Sequence, residues 1–356
     1  MIRAFLHKGF VPVHVQLEVT WRCNWHCVHC YQDDHSKQVL DLRRLESLFV
    51  EMADCGTMHV IVTGGEPLVR RDLFHVLRAI RSHRMGVTLY TNGQLVDSVM
   101  AQRLSQLIAT AEISVLAGEE GIHDMLTQRK GSFRSALTAI SELRRHNIPV
   151  IVKTPLLKPA LHTIKVLEEK MDLLGVEWHV DPEISRTYAG ATGPLQYHLN
   201  YAELQNFFRE FPRFNPQQGY NADPGVERGV CLAGRQYCFI DAEGNVYPCL
   251  NFKSASDVEE KGGSVPRVKM GNILDRSFSS IWNDAKIAHE IRSASHRDFK
   301  TCARCSASAG CNSCMALNYE EHGELFRPAQ LVCSATAAAR SVFESDFVPA
   351  SGITWS

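Results

Sequence analysis

Val13-His14-Val15-Gln16-Leu17-Glu18-Val19-Thr20-Trp21-Arg22-Cys23-Asn24-Trp25-His26-Cys27-Val28-His29-Cys30 is the stretch from which the rest of the chain is read. Val13, Val15, Leu17 and Val19 alternate with less apolar partners, the two-residue period of a strand, and Thr20 ends it just before the first cysteine. The three cysteines therefore leave the C-terminal end of a strand. Three thiolates within eight residues hold three corners of a cubane cluster and are too few to close a site; soft thiolates select zinc or iron-sulfur. A zinc loop completed by His26 or His29 is the competing reading of the cysteines alone.

Outward from this loop, Leu42, Leu45, Leu48, Phe49 and Met52 recur at helical spacing behind Asp41, an N-cap, and Gly56 ends the run. Strands are predicted near 59–63, 87–91, 112–116, 150–154 and 178–181, separated by amphipathic stretches such as Phe133, Ala136, Leu137, Ile140 and Leu143. Six strand–helix units predict an α/β fold, a partial (β/α)6 barrel of TIM type, whose chemistry sits where the strands end. Thr63-Gly64-Gly65-Glu66-Pro67, Thr91-Asn92-Gly93 and Asp181-Pro182-Glu183 fall at those ends. Two glycines let backbone approach a ligand, and the Glu66 carboxylate is suited to face a cation. Ser132 is read as the cap of the helix that follows it.

The 356 residues, 45% hydrophobic and 22% charged, suffice for a large domain and a smaller one. A net charge of -1 predicts no nucleic-acid partner, and the absence of a long apolar run or export signal predicts a cytoplasmic protein with no membrane contact. Twelve cysteines in such a chain read as metal ligands rather than disulfides. Beyond the first loop and Cys55, which reads as a buried thiol, the other eight crowd into 231–333: Cys231, Cys238, Cys249, Cys302, Cys305, Cys311, Cys314 and Cys333. Residues 239–249 read as a hairpin with a glycine turn at Gly244. Eight thiolates make two four-thiolate sites, of iron-sulfur or of structural zinc.

The Cys23-x3-Cys27-x2-Cys30 loop after the first strand, followed by Gly64-Gly65-Glu66-Pro67 after the second, resembles the radical S-adenosylmethionine (SAM) superfamily. The resemblance implies that Cys23, Cys27 and Cys30 hold a 4Fe-4S cluster whose open iron is chelated by SAM, with residues 64–67 at the methionine amino group and His29 against adenine. Asn92 and Ser114 stand where related enzymes contact ribose or carboxylate; as residues they read equally as a turn residue and a buried hydroxyl. The later cysteines resemble the SPASM domain, with Cys314 one residue closer to Cys311 than its pattern. That implies a first auxiliary 4Fe-4S cluster on Cys231, Cys238, Cys249 and Cys314 and a second on Cys302, Cys305, Cys311 and Cys333. The expected division is 1–190 barrel, 191–230 bridge, with a helix starting near Asn200, 231–340 SPASM domain and 341–356 tail.

By the same resemblance the expected activity is that of a ribosomal-peptide maturase. Reductive cleavage of SAM gives a 5'-deoxyadenosyl radical that abstracts hydrogen from a precursor peptide, leaving a thioether, carbon–carbon or carbon–oxygen cross-link or an epimerised residue. Maturation of another protein, or of a haem-type or quinone-type precursor, is the alternative within the family, and a non-catalytic multi-cluster electron carrier the alternative outside it. An external electron donor of flavodoxin or ferredoxin type is implied. Only 22 residues precede Cys23, fewer than the ~50 of a folded leader-binding module. Peptide recognition is accordingly expected from the barrel mouth and bridge or from a separate leader-binding protein.

Overall fold

The computed structural model describes residues 9–36, 40–214, 231–260, 268–302, 305, 311 and 313–343. Residues 215–230 of the expected bridge and most of the expected tail, 344–356, lie outside them. The N-terminal part runs β1 (His14–Glu18), α1 (Leu42–Asp54), β2 (His59–Thr63), α2 (Leu73–Ser82), β3 (Gly86–Thr91), α3 (Ser98–Leu104), β4 (Thr110–Ser114), α4 (Glu120–Thr127), α5 (Ser132–Arg145), β5 (Val150–Pro155), α6 (Ile164–Leu174) and β6 (Glu177–Asp181). It continues through α7 (Tyr201–Glu210), β7 (Tyr237–Ile240), β8 (Asn245–Tyr247), α8 (Leu250–Glu260), β9 (Gly271–Asn272), α9 (Phe278–Asp284), α10 (Lys286–Ser293), α11 (Met315–His322) and α12 (Gln330–Phe343).

Local chemistry accounts for the boundaries. Asp41 accepts a 2.8 Å hydrogen bond from Arg44 N at the start of α1, and Gly56, at φ +88°, turns the chain beyond its end. Asn200 and Glu203 close a reciprocal capping box on α7. Ser132 is not a cap. The N-cap of α5 is Gly131, in the left-handed region, and Ser132 lies one residue inside with its hydroxyl turned back to α4.

The sheet order is β6-β5-β4-β3-β2-β1-β7-β8-β9, with β1 to β6 parallel throughout. The six expected strand–helix units are present, and the outer edge of β1 is filled by β7 in parallel, Val15 opposite Cys238. β8 and β9 extend that edge antiparallel. One ladder thus runs through both halves of the molecule. Along it Val15, Leu17, Val60, Val62, Leu89, Ile113 and Val152, all fully buried, face the helices, each contributing roughly 1.5–3 kcal/mol. The alternate positions Gln16, Glu18, Tyr90, Glu112, Lys153 and Asp181 face the barrel lumen and are polar, as the two-residue period requires.

Candidate active site

The cysteine loop is held on three sides by backbone. Gly65 N and Glu66 N donate to Thr20 O and Arg22 O at 2.9 Å, and His26 N and Val28 N donate to Thr127 O and Leu126 O in α4. The approach at Gly64 and Gly65 is so close that side chains are excluded. A Cβ on Gly65 would stand 2.5 Å from Trp21 O, and one on Gly64, at φ +154°, 2.2 Å from Thr20 O. Both glycines are therefore required by the packing of one strand-end loop on the other.

Glu66 joins two loops. Its carboxylate is fully buried and accepts from Leu68 N (3.0 Å), Thr91 Oγ1 (2.7 Å) and Asn92 N (2.7 Å), so it ties the second strand-end loop to the third. Burial pushes its carboxyl up to about 7 against the three donors. Asn92 donates through Nδ2 to Asn24 Oδ1 (2.7 Å) and accepts at Oδ1 from Gln94 N, which binds the loop beside Cys23. Ser114, at the end of β4, is exposed to the lumen opposite Lys153.

The three thiols lie together in this loop. Burial is the largest influence on each, with neighbouring thiols adding to it at Cys23 and Cys27; it raises Cys23 to about 12 and Cys30 to about 11, with Cys27 well above its ordinary value. Ionised thiolates at this depth need a compensating positive centre, which bound iron supplies. His29 Nδ1 is buried without a hydrogen-bond partner, and burial pushes the ring down to about 4, so it stands neutral with an unsatisfied nitrogen beside the loop. Among the described residues no three His, Cys, Asp or Glu side chains converge on a single-ion site. A cubane spreads its ligands around separate irons.

Behind the loop, Trp25 Nε1 donates to Gln94 Oε1 (3.1 Å), and the Trp25 ring meets His123 edge-on at 5.7 Å. His123 Nδ1 is 2.8 Å from Ser132 Oγ, which lies 2.8 Å from Asp124 Oδ1; Asp124 also accepts from Gly131 N and Phe133 N. His123, Asp124 and Ser132 therefore brace the loop from outside.

In the C-terminal half Cys249 is influenced by Cys314 and Cys231, and Cys314 in turn by Cys231, so these three thiols share one neighbourhood. Cys302, Cys305, Cys311 and Cys333 form a second group by the same measure. Cys238 joins neither, contrary to expectation. On β7 its neighbour Tyr237 faces the lumen, donating to Gln16 and lying near Cys249. One residue on, Cys238 points to the opposite face, fully buried in the apolar layer opposite Val15, where the charges of Cys55 and Arg292 act on it.

Residues 17–162 match the profile of the radical SAM superfamily, and residues 231–306 that of SPASM, an iron-sulfur cluster-binding domain. This is a radical SAM enzyme with a SPASM domain. SAM and a 4Fe-4S cluster are the cofactors of the first part, and auxiliary iron-sulfur clusters those of the second. The AdoMet-dependent heme synthase of Methanosarcina barkeri is 26% identical over 343 residues, covering 88% of this chain and 94% of that protein. The mycofactocin maturase MftC of Mycobacterium ulcerans is 24% identical over 339 residues, 90% of this chain and 87% of its own. SuiB of Streptococcus suis, solved with its precursor peptide SuiA, superposes with a TM-score of 0.69 at 15% identity, covering 93% of this chain and 77% of that one. At such identity the likeness is one of fold.

Two parts of the radical SAM enzyme escaped the sequence reading. One is the polar lumen wall: Tyr90 bonds Glu112, and Lys153 lies near both Glu112 and Asp181. The signal was present as polar residues at alternate positions, Thr88 and Tyr90 in β3, Thr110, Glu112 and Ser114 in β4, and the single Lys153 in β5. The other is a buried charge cluster in which Glu18 accepts from Trp21 Nε1 (2.7 Å), Gln32 Nε2 (3.0 Å) and the Tyr188 hydroxyl (2.9 Å) beside Lys253. Its members are too far apart in sequence for any spacing to reveal.

Proposed function

We propose that this radical SAM enzyme modifies a ribosomally made peptide, forming a cross-link or an epimerised residue after hydrogen abstraction. The observation that carries the reading is the charge of the lumen. β4 to β6 and the turn after them set Glu112, Glu177, Asp181 and Glu183 around Lys153, the one lysine or arginine on the lumen face of those three strands. Glu183 and Glu112 are both pushed up to about 7, chiefly by burial. With Lys153 as its one lysine or arginine, such a wall offers a porphyrin's several carboxylates few cationic partners and suits neutral or cationic peptide. The names of two similar proteins, the mycofactocin maturase and SuiB with its precursor peptide, support the same substrate class.

Within this reading Cys23, Cys27 and Cys30 hold the SAM-binding cluster; Cys231, Cys249 and Cys314 serve the first auxiliary cluster; Cys302, Cys305, Cys311 and Cys333 serve the second. SAM on the reduced cluster supplies a 5'-deoxyadenosyl radical. Gly64, Gly65 and Pro67 shape the loop against which its methionine end rests, with Glu66 and Asn92 bracing that loop and His29 and Ser114 toward the nucleoside. The lumen excludes water from the abstraction. An external one-electron donor and, where the mouth alone does not suffice, a separate leader-binding protein complete the system, in the cytoplasm. Reduced, reconstituted enzyme should form deoxyadenosine and altered peptide with the precursor encoded beside its gene and leave iron coproporphyrin III unchanged. Turnover of the porphyrin in place of the peptide would establish the haem-type reading suggested by the heme synthase relative.

A further inference from the structure

The sequence Arg70-Arg71-Asp72-Leu73-Phe74-His75-Val76-Leu77-Arg78-Ala79-Ile80-Arg81-Ser82-His83-Arg84 concentrates five arginines and two histidines against one aspartate in a chain whose net charge is -1. The structure distributes them unequally. Arg70 is buried; its guanidinium donates to Val19 O (2.6 Å) and Leu40 O (2.9 Å) and pairs with Asp72, consuming the one acid of the stretch. The rest line or flank the outer face of α2. There Arg43, Glu46, Ser47 and Val50 of α1 and His75, Arg78, Ala79 and His83 border a groove of about 600 Å³. Arg43, His75 and Arg78 are exposed, and neither arginine pairs with a carboxylate among the described residues. The neighbouring acid Glu51 is occupied by Arg44 at 2.9 Å. Glu46 is the single carboxylate bordering the groove.

The groove is anchored next to the cysteine loop. Arg70 joins the start of α2 to Val19, four residues before Cys23, and to Leu40, two before α1. α1 follows the cysteine loop of β1 and α2 the strand-end loop of β2, and Arg70 ties the starts of the two helices together beside Val19. Reductive cleavage requires one electron from outside the chain, and a small acidic electron carrier is steered by a field of this sign.

We propose that the α1–α2 groove is the docking surface for an acidic one-electron donor of flavodoxin type, with Arg43 and Arg78 as its steering charges. The proposal rests on the reading of Cys23, Cys27 and Cys30 as the SAM-cluster ligands. In the step served, the donor's anionic flavin hydroquinone loses one electron to become the neutral semiquinone, and the oxidised 4Fe-4S centre is reduced by that electron.

The test compares wild type with Arg43→Glu, Arg78→Glu and the double variant, all with measured iron content, driven either by reduced flavodoxin or by dithionite. Expected is a fall of about tenfold in flavodoxin-driven deoxyadenosine formation for the double variant at low salt. Its dithionite-driven rate should stay at the wild-type value, and the steep salt dependence of the wild type with flavodoxin should flatten. Equal flavodoxin-driven rates in wild type and double variant overturn the proposal. So does a variant whose defect is confined to the KM for precursor peptide, which would assign the groove to an acidic leader. Absence of deoxyadenosine with dithionite in the wild type would instead overturn the cluster assignment.

Discussion

The Lys253 ammonium lies 2.8 Å from Asp241 Oδ2 and 3.9 Å from Glu18 Oε2, with Lys253 itself all but buried and both carboxylates fully so. It also stands over the rings of Trp21, at 4.3 Å, and Tyr188, at 4.0 Å. A residue of α8 therefore closes a cluster that begins on β1 and includes the strand end leading to Cys23. Lys253→Met removes the cation and leaves two buried acids, a change expected to cost about 3–5 kcal/mol. Denaturant unfolding measures it, and adding Glu18→Gln should restore part of the loss; equal stability of Lys253→Met and wild type would contradict the buried pairing.

Cys238→Ala should leave the auxiliary-cluster spectrum and iron content at their wild-type values, because its side chain faces the helices. Cys249→Ala, by contrast, should lose iron from the first auxiliary cluster. Electron paramagnetic resonance of the reduced proteins separates the two. A changed auxiliary signal in Cys238→Ala would return it to the ligand set.

Gly65→Ala places a methyl group 2.5 Å from Trp21 O and 2.6 Å from Arg22 O, backbone atoms with no freedom to withdraw. The expected result is loss of roughly four of about twelve irons, those of the SAM-binding cluster, with the auxiliary clusters retained. Iron analysis with and without SAM checks it; full occupancy would show that the loop can yield.

Ser132→Ala withdraws the hydroxyl shared by His123, Thr127 and Asp124 in a fully buried setting. An unsatisfied buried partner costs about 1–3 kcal/mol. Since the network backs Trp25, faster loss of iron on dilution should accompany the lower stability, and unchanged stability would count against the network.

Glu112 supplies a pH dependence. Burial raises its carboxyl to about 7, more than Lys153 lowers it, while the unfolded value is about 4.3. Between these values the folded chain holds the extra proton, so the stability Glu112 contributes is full below pH ~4.3 and is lost as pH rises through 7. The melting temperature of wild type should accordingly fall more between pH 6 and 8 than that of Glu112→Gln. Parallel curves would place the titration elsewhere.

The strands, the helix caps at Asp41 and Asn200 and the hairpin at Gly244 were legible because each depends on neighbours within a few residues. What misled was facing. Cys238 stands close in sequence to both Cys231 and Cys249, yet the pairing of β7 with β1 fixes its side chain on the other side of the sheet. Glu66 sits in a motif beside two glycines, and only the folded loops show that Leu68, Thr91 and Asn92 take up its oxygens. Ser132 had the composition of a cap and the position of a hub. The Glu18–Lys253 approach left no trace in either neighbourhood, because it depends on the long-range return of the chain to the edge of β1.

That return has an architectural consequence. Since β7 zips onto β1 residue by residue, the barrel and the cysteine-rich part are boards of one floor rather than rooms joined by a corridor. Cutting the chain before β7 would bare a row of unpaired amides along β1, an invitation to clump with its own copies. The smallest piece that can be handled on its own therefore has to carry both halves.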